Sequence, residues 1–311
     1  MMEDWNLIVV GAGVAGLTAG IYGTRSGLGT LVLEEKTAGG VTADAPLIEN
    51  YPGFPEGITG LNLAERMVKH AERVGVEIHS LEKVAKLNLR SEEKAVKTDR
   101  TTYTATSVII ASGSHHKKLG VPGEEEFRGR GVSYCAVCDG PFFKGQKVVV
   151  VGGGNSAAIS AVYLSNIASE VKLIHRRGQL RAERALVSDL KDQNVQVLWN
   201  TEVKKIKGDS KVGTVELLNN ETSETYEIVV DGVFVQVGEV PNTQVAREAG
   251  VRVDANDYII VDRQQRTNLK GVYAAGDVTT CPVKQVGTAV GQAIIAATEA
   301  FKFIKRPYYQ V

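Results

Sequence analysis

The sequence predicts an α/β fold made of two related domains, one inserted into the other, and three observations carry that prediction. Leu7-Ile8-Val9-Val10 runs into Gly11-Ala12-Gly13-Val14-Ala15-Gly16, and Val148-Val149-Val150-Val151 runs into Gly152-Gly153-Gly154-Asn155-Ser156-Ala157. Each copy reads as a short apolar strand, a GxGxxG or GxGxxA turn and an alanine-bearing helical stretch. The second copy keeps the register of the first: Gly152 lies 141 residues beyond Gly11, and His175 lies 141 beyond Glu34, each closing a second strand (Thr30 to Leu33, Val171 to Ile174). Turn-rich segments frame the second copy, with Ile109 to Ser114 leading out of the first domain and Gly238 to Thr243 leading back. A length of 311 residues allows roughly two domains. The expectation is two Rossmann-like dinucleotide-binding domains, the second inserted into the first: residues 1–114 and 243–311 form the discontinuous one, and 115–242 the inserted one.

Composition narrows the function. The chain is 43% apolar and 23% charged, which suits a packed core. Lys plus Arg and Asp plus Glu both number 36, so the basic excess of a nucleic-acid binder is missing. Two acids precede the first apolar run, where a secretory signal needs a basic start. No run approaches the ~18 apolar residues of a membrane span. The expectation is a cytoplasmic protein with neither nucleic acid nor membrane as partner.

The glycine turns explain themselves physically. The first glycine makes the turn, the second lets backbone approach a pyrophosphate, and the third position packs helix on strand. The helix N-terminus then offers free N–H groups to the phosphates. The strand ends differ in charge. Glu34 suits ribose hydroxyls and repels a 2′-phosphate, whereas His175-Arg176-Arg177, with Arg181 beyond, suits a 2′-phosphate. The first site is expected to hold FAD and the second to prefer NADPH. The FAD assignment is helped by Gly271-Val272-Tyr273-Ala274-Ala275-Gly276-Asp277, a strand that ends with a carboxylate beside a close backbone approach. A solvated basic corner is the plainer alternative for the arginines.

Tyr134-Cys135-Ala136-Val137-Cys138-Asp139-Gly140 carries the redox chemistry. Two thiols at this spacing can close a small disulfide, and the spacing often lowers one thiol pKa. Asp139 is placed to move the proton that thiol–disulfide exchange requires. Zinc would need two further ligands, and neither Cys281 nor His115 and His116 stand at a ligand spacing, so no metal is expected. Two buried structural cysteines are the other alternative, and Cys281 is expected to be a small buried residue. The disulfide belongs to the inserted domain and the flavin to the other. A change of domain orientation about the two linkers is one economical way for both to be served.

With these motifs in view, the chain resembles the low-molecular-weight thioredoxin reductases over nearly its whole length. The resemblance rests on Gly11 to Gly16, Glu49-Asn50-Tyr51-Pro52-Gly53, Gly129 to Gly140, Gly152 to Ala157, His175-Arg176-Arg177, Gly276-Asp277, and Gln285 within Val283 to Ala289. It implies FAD in the discontinuous domain, NADPH in the inserted one, a homodimer, and thioredoxin or a similar small dithiol protein as partner. It implies that Cys138 faces the flavin, that Cys135 attacks the partner disulfide and that Asp139 is the acid. It places Gly11, Gly13, Val14, Ala15, Glu34, Gly40, Thr42, Asn50, Val84, Ala111, Gly113, Gly276, Asp277, Lys284, Gln285 and Val286 at the FAD. It places Gly154, Asn155, Ser156, Ala157, His175, Arg176, Arg177 and Arg181 at the NADPH.

The chain departs from this pattern in two places. Gly39-Gly40-Val41-Thr42-Ala43 stands where many relatives carry Gly-Gly-Gln-Leu-Thr, and Ala158-Ile159-Ser160-Ala161 stands where relatives often carry an acidic residue or pair. The reading is a thioredoxin reductase fed by NADPH. Its rivals are a flavin thioredoxin reductase fed by ferredoxin or a deazaflavin, and a flavin redox sensor without turnover. The aromatic tail Lys305-Arg306-Pro307-Tyr308-Tyr309 is expected to pack on the surface.

Overall fold

The computed structural model describes residues 3–45, 47–193 and 195–305; Arg306, Pro307, Tyr308 and Tyr309 of the aromatic tail lie outside them. From the N-terminus the elements are β1 (Glu3–Val10), α1 (Val14–Arg25), β2 (Thr30–Leu33), α2 (Gly60–Arg73), β3 (Glu77–His79), β4 (Val84–Asn88), β5 (Lys94–Thr98), β6 (Thr102–Ile110) and β7 (Ser114–His116). There follow β8 (Val132–Ser133), α3 (Ala136–Asp139), β9 (Lys147–Gly152), α4 (Asn155–Ser165), β10 (Glu170–Ile174), α5 (Arg184–Asp192), β11 (Gln196–Leu198), β12 (Thr201–Gly208), β13 (Val212–Asn219), β14 (Thr225–Val229), β15 (Gly232–Gln236) and β16 (Glu239–Pro241). The chain closes with α6 (Gln244–Glu248), β17 (Val272–Ala274) and α7 (Val286–Lys305). It divides into one compact unit of residues 1–115 and 240–311 and another of residues 116–239.

In the first unit the sheet order is β3-β2-β1-β6-β5-β4, with β17 also beside β6. β1, β2, β3, β6 and β17 run parallel, and β4 and β5 turn back antiparallel. A parallel sheet buried on both faces needs strands that are apolar throughout. The side-chain period of two then divides each strand between two cores. Leu7, Val9, Val32 and Ile109 join α1 and α7 on one face. Ile8, Leu31, Leu33, Val108 and Ile110 join Val251, Ile259 and Val278 on the other. Helix α1 is apolar nearly all round and nearly all buried, as a helix covered on several sides must be. Helix α2 is amphipathic, and its N-cap Thr59 accepts the Asn62 N–H at 3.2 Å.

The second unit repeats the plan. Its parallel sheet has the order β11-β10-β9-β15-β8, accompanied by the antiparallel β12-β13-β14. Val149, Val151, Ile174, Val233 and Val235 face the antiparallel layer. Val148, Val150, Leu173 and Phe234 face α4 and α5. The two segments that connect the units, β7 and β16, pair with each other. Among the described residues no helix is long and apolar enough to cross a membrane.

Candidate functional site

The glycines of the first turn are required by different neighbours. Gly11 has φ +102°, and a Cβ there would lie 2.5 Å from the Ala111 carbonyl oxygen; a Cβ on Gly16 would lie 1.7 Å from the Gly11 oxygen. These two glycines serve the turn and the helix–strand contact. Gly13 differs, because a Cβ on it would meet only Gly40 Cα, at 3.8 Å. The space in front of the turn therefore stays open, and the first-turn N–H groups of α1 stand without intrahelical partners. Glu34 closes the edge: its carboxylate accepts the Ala12 N–H and the Lys36 N–H, each at 2.8 Å. Each oxygen keeps a lone pair for a further donor such as a ribose hydroxyl.

Most of the expected FAD contacts gather around this turn. Gly40 opens the 3₁₀ turn Gly40–Asp44, which includes Thr42, and abuts Gly13 so closely that a Cβ would lie 2.8 Å from Gly13 Cα. Gly276 presses on Ala15, whose Cβ would stand 2.9 Å from an added one. The close approach at Gly276 is thus between the turn after β17 and α1, a packing demand of the protein itself. The Lys284 ammonium donates to the Asp277 carbonyl at 3.0 Å, and the Asn50 amide donates to Gln285 Oε1 at 3.1 Å. Asn242 holds the exit from β6 at Ser112 and Gly113, through bonds of 2.7 to 2.9 Å. Val286 opens α7 against the α1 core. Val84 packs on the opposite core, just beyond Glu82, whose N–H donates to the Glu34 carbonyl at 2.8 Å.

The second turn has a distinct support. A Cβ on Gly152 would lie 2.3 Å from the Gln236 carbonyl oxygen, and one on Gly153 would fall 2.1 Å from the His175 ring. Gly154 has nothing within 4 Å of an added Cβ, an opening even wider than that at Gly13. His175 is 6% exposed and lies within hydrogen-bond distance of the Gln179 carbonyl, 3.0 Å from its Nε2. Burial lowers its pKa, and the ring packs beneath the turn. Arg176, Arg177 and Arg181 are exposed, and among the described residues none of the three is ion-paired. The Arg181 N–H reaches the Gly153 carbonyl at 2.7 Å, tying that arginine's backbone to the turn. Asn155 clasps Glu183 twice, donating to its carboxylate at 2.9 Å and accepting its N–H at 3.0 Å. Ser156 and Ala157 follow on α4. At the positions of the acidic pair, Ile159 is 52% exposed and Ser160 is buried.

Cys135 and Cys138 are joined as a disulfide with Cα atoms 5.3 Å apart. Cys135 caps the one-turn helix α3 and Cys138 lies within it, and α3 packs on α4 through Ala136, Ala157, Ala158 and Ala161. The Cys138 N–H points at Cys135 Sγ, 3.2 Å away, so one backbone donor is aimed at that sulfur. Asp139 is largely buried, which raises its carboxyl pKa, opposed by a hydrogen bond from Ser133. That bond, Ser133 Oγ to Asp139 Oδ2, is 2.6 Å long. Tyr134 is anchored by its hydroxyl on Glu124 at 2.8 Å and by Gln236, whose amide donates to the Tyr134 carbonyl at 2.8 Å. His116 stacks on the Tyr134 ring. Among the described residues no group of three His, Cys, Asp or Glu is placed to hold a metal ion. Cys281 corrects an expectation: it is half-buried rather than buried, because it sits in the irregular Thr279–Lys284 approach to α7.

Ser133, Glu183 and Glu124 are neighbours of these centres that sequence reasoning passed over. Ser133 stands two residues before Cys135, the one local signal that pointed to it. Glu183 and Glu124 meet their partners only through the tertiary fold.

The comparisons agree with this geometry. Residues 5–293 match the family described as pyridine nucleotide-disulphide oxidoreductase. A thioredoxin reductase of Treponema pallidum is 43% identical over 305 residues, covering 98% of this chain and 98% of that protein. One from Bacillus subtilis is 42% identical, covering 97% and 95%. The crystal structure of thioredoxin reductase from Streptococcus pyogenes superposes with a TM-score of 0.92 at 38% identity, covering 98% of this chain and 99% of that one.

Proposed function

Because the chain belongs to the pyridine nucleotide-disulphide oxidoreductase family, we propose that it is a thioredoxin reductase that takes electrons from NADPH and delivers them through FAD to thioredoxin. The observation that carries this reading is the Cys135–Cys138 disulfide beside a buried Asp139, in a chain similar from end to end to thioredoxin reductases. When bound, the two cofactors supply a hydride and convert it into the electron pair that opens the disulfide.

The chain's own residues do the rest. The open turns at Gly13 and Gly154 and the helix N-termini behind them suit pyrophosphates. Glu34 suits a ribose without a 2′-phosphate, and the unpaired Arg176, Arg177 and Arg181 suit one that carries it. In the dithiol, the Cys135 thiolate is favoured by the Cys138 N–H. It attacks one sulfur of the partner disulfide, whose S–S bond breaks, and the released partner thiolate takes a proton. The Cys138 thiolate then attacks Cys135 Sγ, reforming the Cys135–Cys138 bond and releasing the second partner thiolate, which takes the second proton. Asp139 is the group held nearby to supply a proton.

One observation favours a second reading. Exposed Ile159 and buried Ser160 replace the acids that relatives often carry after the second turn. A flavin thioredoxin reductase fed by ferredoxin or a deazaflavin would keep the dithiol chemistry and lose the response to NADPH. The test of the relay is Cys135→Ser and Cys138→Ser. Either should abolish thioredoxin reduction while the FAD is still bleached by NADPH. Full thioredoxin turnover in either variant overturns the relay.

A further inference from the structure

Ser133 stands at the junction of three hydrogen bonds around the disulfide. Its Oγ accepts the Cys135 N–H at 3.0 Å. It lies 2.6 Å from Asp139 Oδ2 and 3.3 Å from the Cys135 carbonyl oxygen. A hydroxyl carries one hydrogen and two lone pairs. The Cys135 N–H occupies one lone pair, so the single hydrogen must choose between the carboxylate and the carbonyl. An ionised carboxylate at 2.6 Å wins, because charge-assisted hydrogen bonds are the stronger ones. Once the carboxyl is protonated on Oδ2, that oxygen becomes the donor to Ser133 Oγ, and the Ser133 hydrogen is free to turn to the Cys135 carbonyl.

We propose that Ser133 is a positioning residue that couples the protonation of Asp139 to the Cys135 backbone through this two-position hydrogen. The inference rests on the redox reading of Cys135 and Cys138 and assigns a residue that this reading did not use. Ser133 is buried, at 5% exposure, so water does not readily replace it as partner. It ends β8, held in the sheet by β15 through Val132 and Ser133, so its oxygen is fixed by the fold while α3 carries Cys138 and the acid, with Cys135 at its N-cap.

Among the described residues, Ser133 is the side chain that hydrogen-bonds the Asp139 carboxylate. The elements packed most extensively on α3 are the 3₁₀ turn Gly140–Phe143 and α4. Neither contains a charged residue, and Tyr163 is the titratable side chain between them. The charged groups Glu124, Arg128, His116 and Glu239 gather around Tyr134 instead. Burial raises Asp139 and the Ser133 hydrogen bond opposes that rise, so removing the hydroxyl should let the acid keep its proton to higher pH.

The test uses FAD-loaded protein, reduced anaerobically with dithionite and mixed with oxidised thioredoxin across the pH range. Reoxidation should lose rate along an alkaline limb as Asp139 ionises. In Ser133→Ala that limb should move up by roughly half to one pH unit, the size that one hydrogen bond commands. Ser133→Thr, which keeps a hydroxyl, should return the limb to its original place. In an Asp139→Asn background, Ser133→Ala should shift nothing. A residue that merely packs would change stability and leave the limb where it was. If all Ser133 variants share the wild-type limb, the coupling is wrong. If wild-type protein is not reoxidised by thioredoxin at any pH, it is the proposed function that fails instead.

Discussion

Asn50 and Gln285 are 235 positions apart in sequence, and their side chains meet at 3.1 Å. The contact joins the loop after the 3₁₀ turn Gly40–Asp44 to the start of α7. Both residues are expected at the flavin, and a bond between exposed side chains contributes little to folding alone. Asn50→Ala should therefore leave the stability of the apoprotein within about 0.5 kcal/mol. It should weaken FAD about tenfold, a loss of about 1.4 kcal/mol. Reconstitution of the apoprotein, followed by flavin fluorescence, measures this directly.

The second glycine turn separates folding from binding within three residues. Gly152→Ala forces a Cβ to 2.3 Å from the Gln236 carbonyl oxygen and should cost about 1–3 kcal/mol of stability. Gly154→Ala places its methyl in open space, so stability should stay within about 0.5 kcal/mol. On the proposed function the same methyl would fill the approach to the phosphates, and NADPH should bind roughly tenfold more weakly. Chemical denaturation and nucleotide titration of the two variants should give opposite profiles.

Among the described residues Arg176 and Arg177 have no ion-pair partner, and they follow directly on the buried His175. Replacing both with Ala should reduce the preference for NADPH over NADH by about tenfold to a hundredfold, since a charged hydrogen bond contributes about 1.5–3 kcal/mol. The change should appear in NADPH affinity while NADH affinity stays nearly constant. Equal losses for both nucleotides would mean that the arginines do not read the 2′-phosphate.

Burial raises the Asp139 carboxyl above its ordinary value. A group raised in the folded state contributes stability while protonated, in acid, and that contribution is lost as pH rises through its folded-state pKa. Asp139→Asn should therefore melt higher than wild type at neutral pH, with the difference shrinking as pH falls towards about 4. Thermal melts of the oxidised FAD-loaded proteins across that range check the sign. A difference independent of pH would show that the ionised carboxylate is not what destabilises.

The repeated turns were legible in the sequence because a strand, a glycine spacing and a helix are local patterns. Gly11 and Gly16 do what that spacing implies, and the disulfide follows from a three-residue separation. Gly276 shows where such reading stops: besides its φ of +81°, its fit depends on Ala15, more than 200 positions away in sequence. The packing of the His175 ring beneath Gly153 is likewise invisible in the sequence. The Asn155–Glu183 clasp, the Glu124–Tyr134 bond and the Ser133–Asp139 bond depend on side-chain directions that only packing sets. The half-buried state of Cys281 depends likewise on how an irregular loop lies against α7.

The most direct test of the account is an anaerobic titration of the FAD-loaded protein with NADPH, then with NADH, followed by addition of oxidised thioredoxin and a count of thiols. The account predicts that near-stoichiometric NADPH bleaches the flavin, that NADH is much weaker, and that two thioredoxin thiols appear for each NADPH consumed. A flavin that dithionite reduces but neither nucleotide bleaches would contradict NADPH as donor, and bleaching without thioredoxin thiols would contradict the disulfide relay itself.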